Sequence, residues 1–262
     1  MGCALSSPAR VAGLAAGLRV LLAVALPVAP FSNTIFAPEE LVYRSRMEAG
    51  APFTVYRDLA RPEVREGRPV VRITCRAEDG SQTITMLLEG KGLRPLWVEL
   101  VRPDGLLFSQ VTYYEQEAHL VEKPGQKPRA VPITPQTYDQ RSLFWALRGY
   151  PFARPATVHF DLLMPDGKRF RMYVRLAGEE VVTVPAGTFA AYKLEMGPAD
   201  LPRFIAAGFL AYFWYSKEER PRFLRYEFTG IPGQVSEALS WSRGPDHREG
   251  GGGMAKEADR QN

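Results

Sequence analysis

The densest run of chemically useful side chains is AYFWYS at 211–216, where Tyr212, Phe213, Trp214 and Tyr215 stand in succession. In an extended chain, successive side chains point to opposite faces, so Tyr212 and Trp214 share one face and Phe213 and Tyr215 the other. Large apolar groups on both faces need cover on both, or a cavity on one. The strand therefore suits an apolar or amphipathic ligand, a lipid or glycolipid, held in a bent sheet; Tyr192 on a preceding strand completes the candidate ligand-binding set. The competing reading is plain core packing, because each fully buried aromatic contributes about 1.5 to 3 kcal/mol to folding.

Chemistry of other kinds finds little material. The three histidines, His119, His159 and His247, are far apart and lack the HxH or HExxH spacing of a metal site. His159 lies opposite Val158 and Phe160, which predicts a solvated ring. No G-x-S-x-G elbow presents a serine nucleophile, and GKG at 90–92 lacks the flanks of a phosphate loop. The pairs Glu39-Glu40, Glu179-Glu180 and Glu218-Glu219 are chain neighbours that a strand would send to opposite faces. Glycan hydrolysis by facing carboxylates would need residues from different strands. The expectation is a non-enzymatic protein with no catalytic residue, no metal and no cofactor.

The 33 Lys and Arg against 29 Asp and Glu leave a net charge of +4, a mixed surface rather than a concentrated field. That predicts no nucleic-acid partner. An outward arginine set (Arg44, Arg46, Arg72, Arg76, Arg169, Arg171, Arg175) offers a patch for anionic headgroups or an envelope protein partner, diluted by acidic neighbours. Cys75 is the single thiol outside the leader, so no disulfide forms within the mature chain.

The elements that must position these groups follow from periodicity. Residues 1–29 carry Arg10 and Arg19 ahead of VLLAVALPVA, the order of a signal peptide, with candidate ends from 25 to 37. The apolar run is shorter than the roughly 20 residues of a membrane span, and the alternative is a retained N-terminal anchor. From residue 39, short runs rich in Val, Ile, Thr, Tyr and Phe alternate with Gly, Pro and Asp clusters, the pattern of an antiparallel meander. Val71, Ile73, Cys75 and Ala77 share one face of their strand, which points the thiol inward. A Pro-rich loop follows from 123 to 135, then one helix near 139–149 capped by Asp139 or Thr137 and stopped by Gly149 and Pro151. That helix and the insert LPRFIAAGFL are the expected covers for the aromatic strand. Residues 243–262, with four consecutive glycines, read as a disordered tail.

Four segments, YDQRSLFWALRGYPF, FDLLMPDGKRFRMYVRL, GEEVVTVPAGTFAAYKLE and FWYSKEERPRFLRYEF, follow one another in an order that resembles the DUF3108 family of exported bacterial proteins. Val184 stands where that pattern carries Thr. The resemblance implies a single β domain over 39–242 in the periplasm or cell envelope: one strongly bent antiparallel sheet or open barrel of about 11–13 strands with one or two short covering helices. It carries no catalytic residues to transfer. Three functions remain open on the sequence: a binder of an apolar or amphipathic ligand, a structural or interaction protein of the envelope, and a glycan hydrolase.

Overall fold

A computed structural model describes residues 30–244. Residues 1–29, read above as a signal peptide, and 245–262, read as most of a tail, lie outside the described residues. The strands are β1 Glu39–Arg46, β2 Thr54–Arg65, β3 Arg68–Ala77, β4 Thr83–Glu89, β5 Pro95–Val101, β6 Leu107–Tyr113, β7 Glu117–Val121, β8 Arg129–Pro132, β9 Thr137–Asp139, β10 Val158–Leu163, β11 Arg169–Val184, β12 Gly187–Pro198, β13 Ala211–Ser216, β14 Phe223–Phe228 and β15 Val235–Arg243. Two short helices, α1 Leu143–Ala146 and α2 Arg203–Ala206, interrupt them.

All fifteen strands belong to one sheet, ordered β8 to β1, then β15 down to β9. Two meanders are thus joined where β1 pairs antiparallel with β15, Glu39 opposite Arg243 and Arg46 opposite Val235. Only β9 runs parallel to its neighbour, β10. The turns are made by local chemistry: Asp79, Asp104 and Asp166 each accept a hydrogen bond from the backbone N–H two residues on, at 2.8, 3.0 and 3.0 Å. The glycines that follow them, Gly80, Gly105 and Gly167, take φ of +73°, +74° and +79°. Only glycine adopts those angles without steric cost.

The sheet curls on itself without closing. At the far edges, Tyr113 of β6 donates to Asp139 of β9 at 2.6 Å and the Tyr138 hydroxyl reaches the Gly92 carbonyl at 2.9 Å. Arg129 of β8 reaches the Asp166 carbonyl at 2.9 Å. Side chains fill the enclosed space. Residues 140–149 form one α turn between two 3-10 turns, with Asp139 accepting from the Arg141 N–H at 2.8 Å as its cap. Phe144 enters the barrel and stacks on Phe223 with ring centroids 4.3 Å apart. From the chain start, Phe31 meets Tyr138 and Phe160 edge to face at 5.0 and 5.5 Å. Helix and leading segment together occupy the concave face as part of a single apolar core.

The mainly β, unclosed sheet agrees with the sequence expectation, but the strands number fifteen. The difference lies in elements that local patterning hides. β8 falls in the Pro-rich segment read as loop, β9 occupies the residues expected to cap the helix, and the pattern of β15 marks no strand in the sequence reading. The segments RFRMYVRL and GEEVVTV fuse into the single 16-residue strand β11. β15 also runs to Arg243, so the first residue assigned to the tail pairs with Glu39 instead.

The cover over the aromatic strand differs from expectation on one side. Its inner face is covered by the helical segment, as expected. Its outer face is covered not by the insert but by the tip of the β11–β12 hairpin. A bulge between Leu176 and Gly178 bends this hairpin, and the Ala186 N–H donates to the Ala238 carbonyl of β15 at 3.2 Å. Val182 and Val184 from the tip then pack with Ala191, Trp214 and Leu224 in a second, smaller core. The insert at 199–210 instead exposes Phe204 and Phe209.

Candidate functional site

The five aromatic candidates do not form one site. Phe213 and Tyr215 are buried in the main core, while Trp214 is buried in the outer one. The Tyr215 hydroxyl donates to the Phe144 carbonyl at 3.0 Å, and burial pushes its pKa above the usual phenol value. Tyr192 is half-buried and stacks on Phe152 at 4.4 Å. Tyr212 sits on the outer face with the Lys193 ammonium 4.9 Å from its ring. Phe213, Tyr215 and Trp214 therefore serve packing. Tyr215→Phe is expected to lower stability by about 1 to 3 kcal/mol, because the Phe144 carbonyl inside the barrel loses this donor. Urea unfolding of the two proteins measures it.

A cavity of about 200 Å³ opens at one rim of the barrel, where β1 and β15 meet the end of the helical segment. Its walls are apolar: Leu41, Phe144, Trp145, Phe223 and Trp241. Its polar groups are three arginines, Arg148, Arg222 and Arg243, and three carboxylates, Glu39, Glu40 and Glu218. Arg148 is the decisive member. It is only 4% exposed, its Nε donates to the Pro221 carbonyl at 2.8 Å, and its guanidinium lies 5.0 Å from the Trp145 ring centre. Nη2 is 2.9 Å from Glu39 Oε2, yet off the alignment of a hydrogen bond, so this buried donor has no hydrogen-bonded acceptor. Burial lowers the Arg148 pKa from its usual value, and Glu39 opposes that shift.

The carboxylates are already engaged. Glu39 also accepts from Arg243 Nε at 3.2 Å, Glu218 holds Arg222, and Glu40 holds Arg57. The arrangement can receive an acidic group at Arg148 while aromatic walls hold an apolar body. The helix builds it: its apolar positions Leu143, Ala146 and Leu147 bury inward, which leaves Arg148 at the exit turn beneath the rim. Gly149 then allows close approach, since a Cβ there would lie 1.9 Å from the Ser32 carbonyl oxygen. Sequence reasoning missed the cavity because its lining comes from four separated segments. The available signal was an arginine closing an otherwise apolar helical turn.

The remaining candidates stay scattered. His159 is exposed, and His119 pairs with Glu117 at 2.8 Å. His247 lies outside the described residues. Cys75 points inward and is buried, its Sγ 3.6 Å from the Tyr43 hydroxyl; burial pushes its pKa well up, the opposite of a reactive thiol. Among the described residues no three His, Cys, Asp or Glu side chains gather as a metal site. The outward arginines are partly neutralised, Arg44 by Glu237, Arg72 by Glu63 and Arg175 by Glu195. Among the described residues no helix is long and apolar enough to cross a membrane.

Fold and cavity define a mainly β, barrel-like protein whose interior is filled; the Arg148 cavity opens at one rim, and a wider groove lined by Arg44, Arg46, Phe53, Tyr212 and Arg225 opens at the other. The chain belongs to the family described as "Protein of unknown function (DUF3108)", whose profile matches residues 45–230. Solved structures with some likeness include a β-barrel-like protein of the domain of unknown function DUF1849 from Brucella abortus, 9% identical, with a TM-score of 0.48 over 82% of this chain and 100% of that one. Another is a candidate lipoprotein from Parabacteroides distasonis, 12% identical, with a TM-score of 0.31 over the same shares. No curated protein matches the chain.

Proposed function

We propose that this protein is a non-catalytic binding protein of the cell envelope, and that its ligand is a small amphipathic molecule with an acidic head seated at Arg148. One observation carries the reading: a buried arginine with an unaligned donor faces a cavity walled by aromatic rings. Filling of the concave face by Phe144 and Phe31 moves the ligand from the middle of the sheet, where the aromatic strand had placed it, to the rim. A cavity of about 200 Å³ equals the liquid volume of about seven waters, at about 30 Å³ each, enough for a headgroup and a short length of chain. The signal-like leader supports an envelope location.

Titration of the full chain with octanoate and with octyl phosphate, followed through Trp145 and Trp241 fluorescence, tests the reading. Saturable quenching by both acids and none by octanol is expected. Arg148→Gln should abolish it; Ser242→Phe, which narrows the mouth and leaves the ion pairs in place, should weaken it at least tenfold. Equal responses to octanol and the acids, or no saturable response, would overturn it.

A further inference from the structure

The two rims of the barrel differ in a way the cavity does not explain. Twelve large apolar side chains are exposed among the described residues, and nine of them lie at the rim opposite the cavity. The remaining three, Val64, Tyr114 and Val181, are dispersed at the cavity end. Strand register fixes this placement: the β1–β2, β5–β6, β10–β11, β12–β13 and β14–β15 connections all fall at the same end of the sheet.

Three of these connections and the start of β11 are joined into one surface. The Thr229 hydroxyl donates to the Ala207 carbonyl at 3.2 Å, linking the insert to the β14–β15 turn. The Ala49 N–H donates to the Pro232 carbonyl at 2.8 Å, linking that turn to the β1–β2 turn. The Ala199 N–H donates to the Arg171 carbonyl at 2.8 Å, linking the insert to β11. Across this surface project Phe204, 81% exposed, Met47, 61%, Phe209, 52%, and Phe170, 45%. Arginines flank them: Arg46 precedes Met47, and Arg169 and Arg171 bracket Phe170. The nearby acids in sequence are Glu48, Asp166 and Asp200, against Arg46, Lys168, Arg169 and Arg171; Asp166 is paired with Lys168, Arg46 also donates to the Gly233 carbonyl at 3.0 Å, and Arg169 to the Pro132 carbonyl at 3.1 Å.

We propose that this rim docks on a lipid bilayer surface bearing anionic headgroups, with Phe204 and Phe209 entering the acyl boundary and Arg46 and Arg171 meeting the phosphates. Apolar side chains projecting from turns, with arginines beside them, suit a lipid interface; the groove beside them is lined by Arg44, Arg46 and Arg225 and can take a headgroup. Charge complementarity selects anionic lipid, since each arginine at such a surface strengthens binding about fivefold. The proposal does not rest on the cavity. Nor does it use a retained leader: the first described residues lie at the opposite rim, where Asn33 bonds the Gly90 carbonyl at 2.7 Å.

The test uses the full chain with Cys3→Ser, so that a cysteine placed at residue 204 is the accessible thiol while Cys75 stays buried. It is labelled with an environment-sensitive nitrobenzoxadiazole dye and mixed with vesicles of phosphatidylcholine containing 30% phosphatidylglycerol, a composition chosen for the assay, on the order of one anionic lipid in three. A several-fold rise in emission is expected from Phe204→Cys and no rise from the same dye at Val64→Cys on the cavity rim. Arg171→Gln should weaken the response about fivefold, and pure phosphatidylcholine should give much less. A rise at Val64→Cys alone would assign membrane contact to the leader end and overturn the proposal. So would absence of any response at 204, or a response that needs no lipid and follows protein concentration, which would identify a second copy of the chain as the occupant.

Discussion

Phe31→Ala is expected to destabilise the protein by about 3 to 5 kcal/mol, the range for removing a fully buried aromatic ring from a core that cannot collapse around the void. Phe31 is 1% exposed and packs edge to face on Tyr138 and Phe160. It does not act alone. Ile35 and Ala37 are buried beside the same core, and the Ser32 N–H bonds the Gly149 carbonyl at 3.0 Å. The segment from Phe31 to Ala37 is thus part of the folded body, placed before the first strand. Urea unfolding of the variant measures the loss, with an unchanged m-value indicating that the native sheet persists. The same packing bears on leader removal. Processing after residue 25 or 29 leaves the core whole, whereas processing after Ala37 would remove Phe31 and Ile35 together. A mature chain beginning no later than Phe31 is expected from intact-mass measurement of exported protein.

Asp58→Asn should have the second largest effect, and of opposite sign. Asp58 is a buried carboxylate on β2; one oxygen accepts from the Trp145 indole N–H at 2.8 Å and the other has no hydrogen-bond partner. Desolvation raises its pKa from the ordinary 3.8 to about 6, against the lowering influence of Cys75 and Trp145. Between those values the folded protein holds a proton that the unfolded chain has released. Stability therefore falls as pH rises from about 4 to about 6 and levels off above, where a charge is buried without full compensation. A shift of about two units corresponds to about 3 kcal/mol. Asparagine keeps the acceptor for Trp145 and carries no charge. The variant should be more stable than the parent at pH 7.5 by about 1 to 3 kcal/mol and lose most of the slope between pH 4 and 6. Asp58→Ala, which orphans the indole N–H, should be less stable than Asp58→Asn at every pH. Equal pH slopes for the parent and Asp58→Asn would sink the assignment.

How much of this was legible beforehand depends on the range of the interaction involved. Alternation put Val71, Ile73 and Cys75 on the inner face of β3, and the structure buries all three. Asp-Gly pairs marked turns because their conformations are set within three residues. The helix appeared where Asp139 and Gly149 bounded it, since capping is local. Residues whose fate is settled by distant partners were misplaced or unseen. β8 looks like loop because its prolines mask a four-residue edge strand, β9 looks like a helix start because its three residues pair only with β10 some twenty positions on, and β11 looks like two strands because its bulge sits at an Ala-Gly step. The sequence points to the insert as the cover over Trp214, although the hairpin tip supplies it, because nothing within the hairpin states which way it bends.

The β meander, its inward faces, its turns and one short helix are already written in the order of the residues. Each depends on neighbours a few residues apart and so survives without knowledge of the fold. Long-range folding alone packs the aromatic strand on both faces, closes a rim cavity with Arg148 and, from 109 positions earlier, Glu39, and gathers the exposed apolar side chains at the opposite end. Those outcomes follow from curling one fifteen-stranded sheet until its distant segments meet, and that curvature is the sum of twists and bulges that no single stretch of residues encodes.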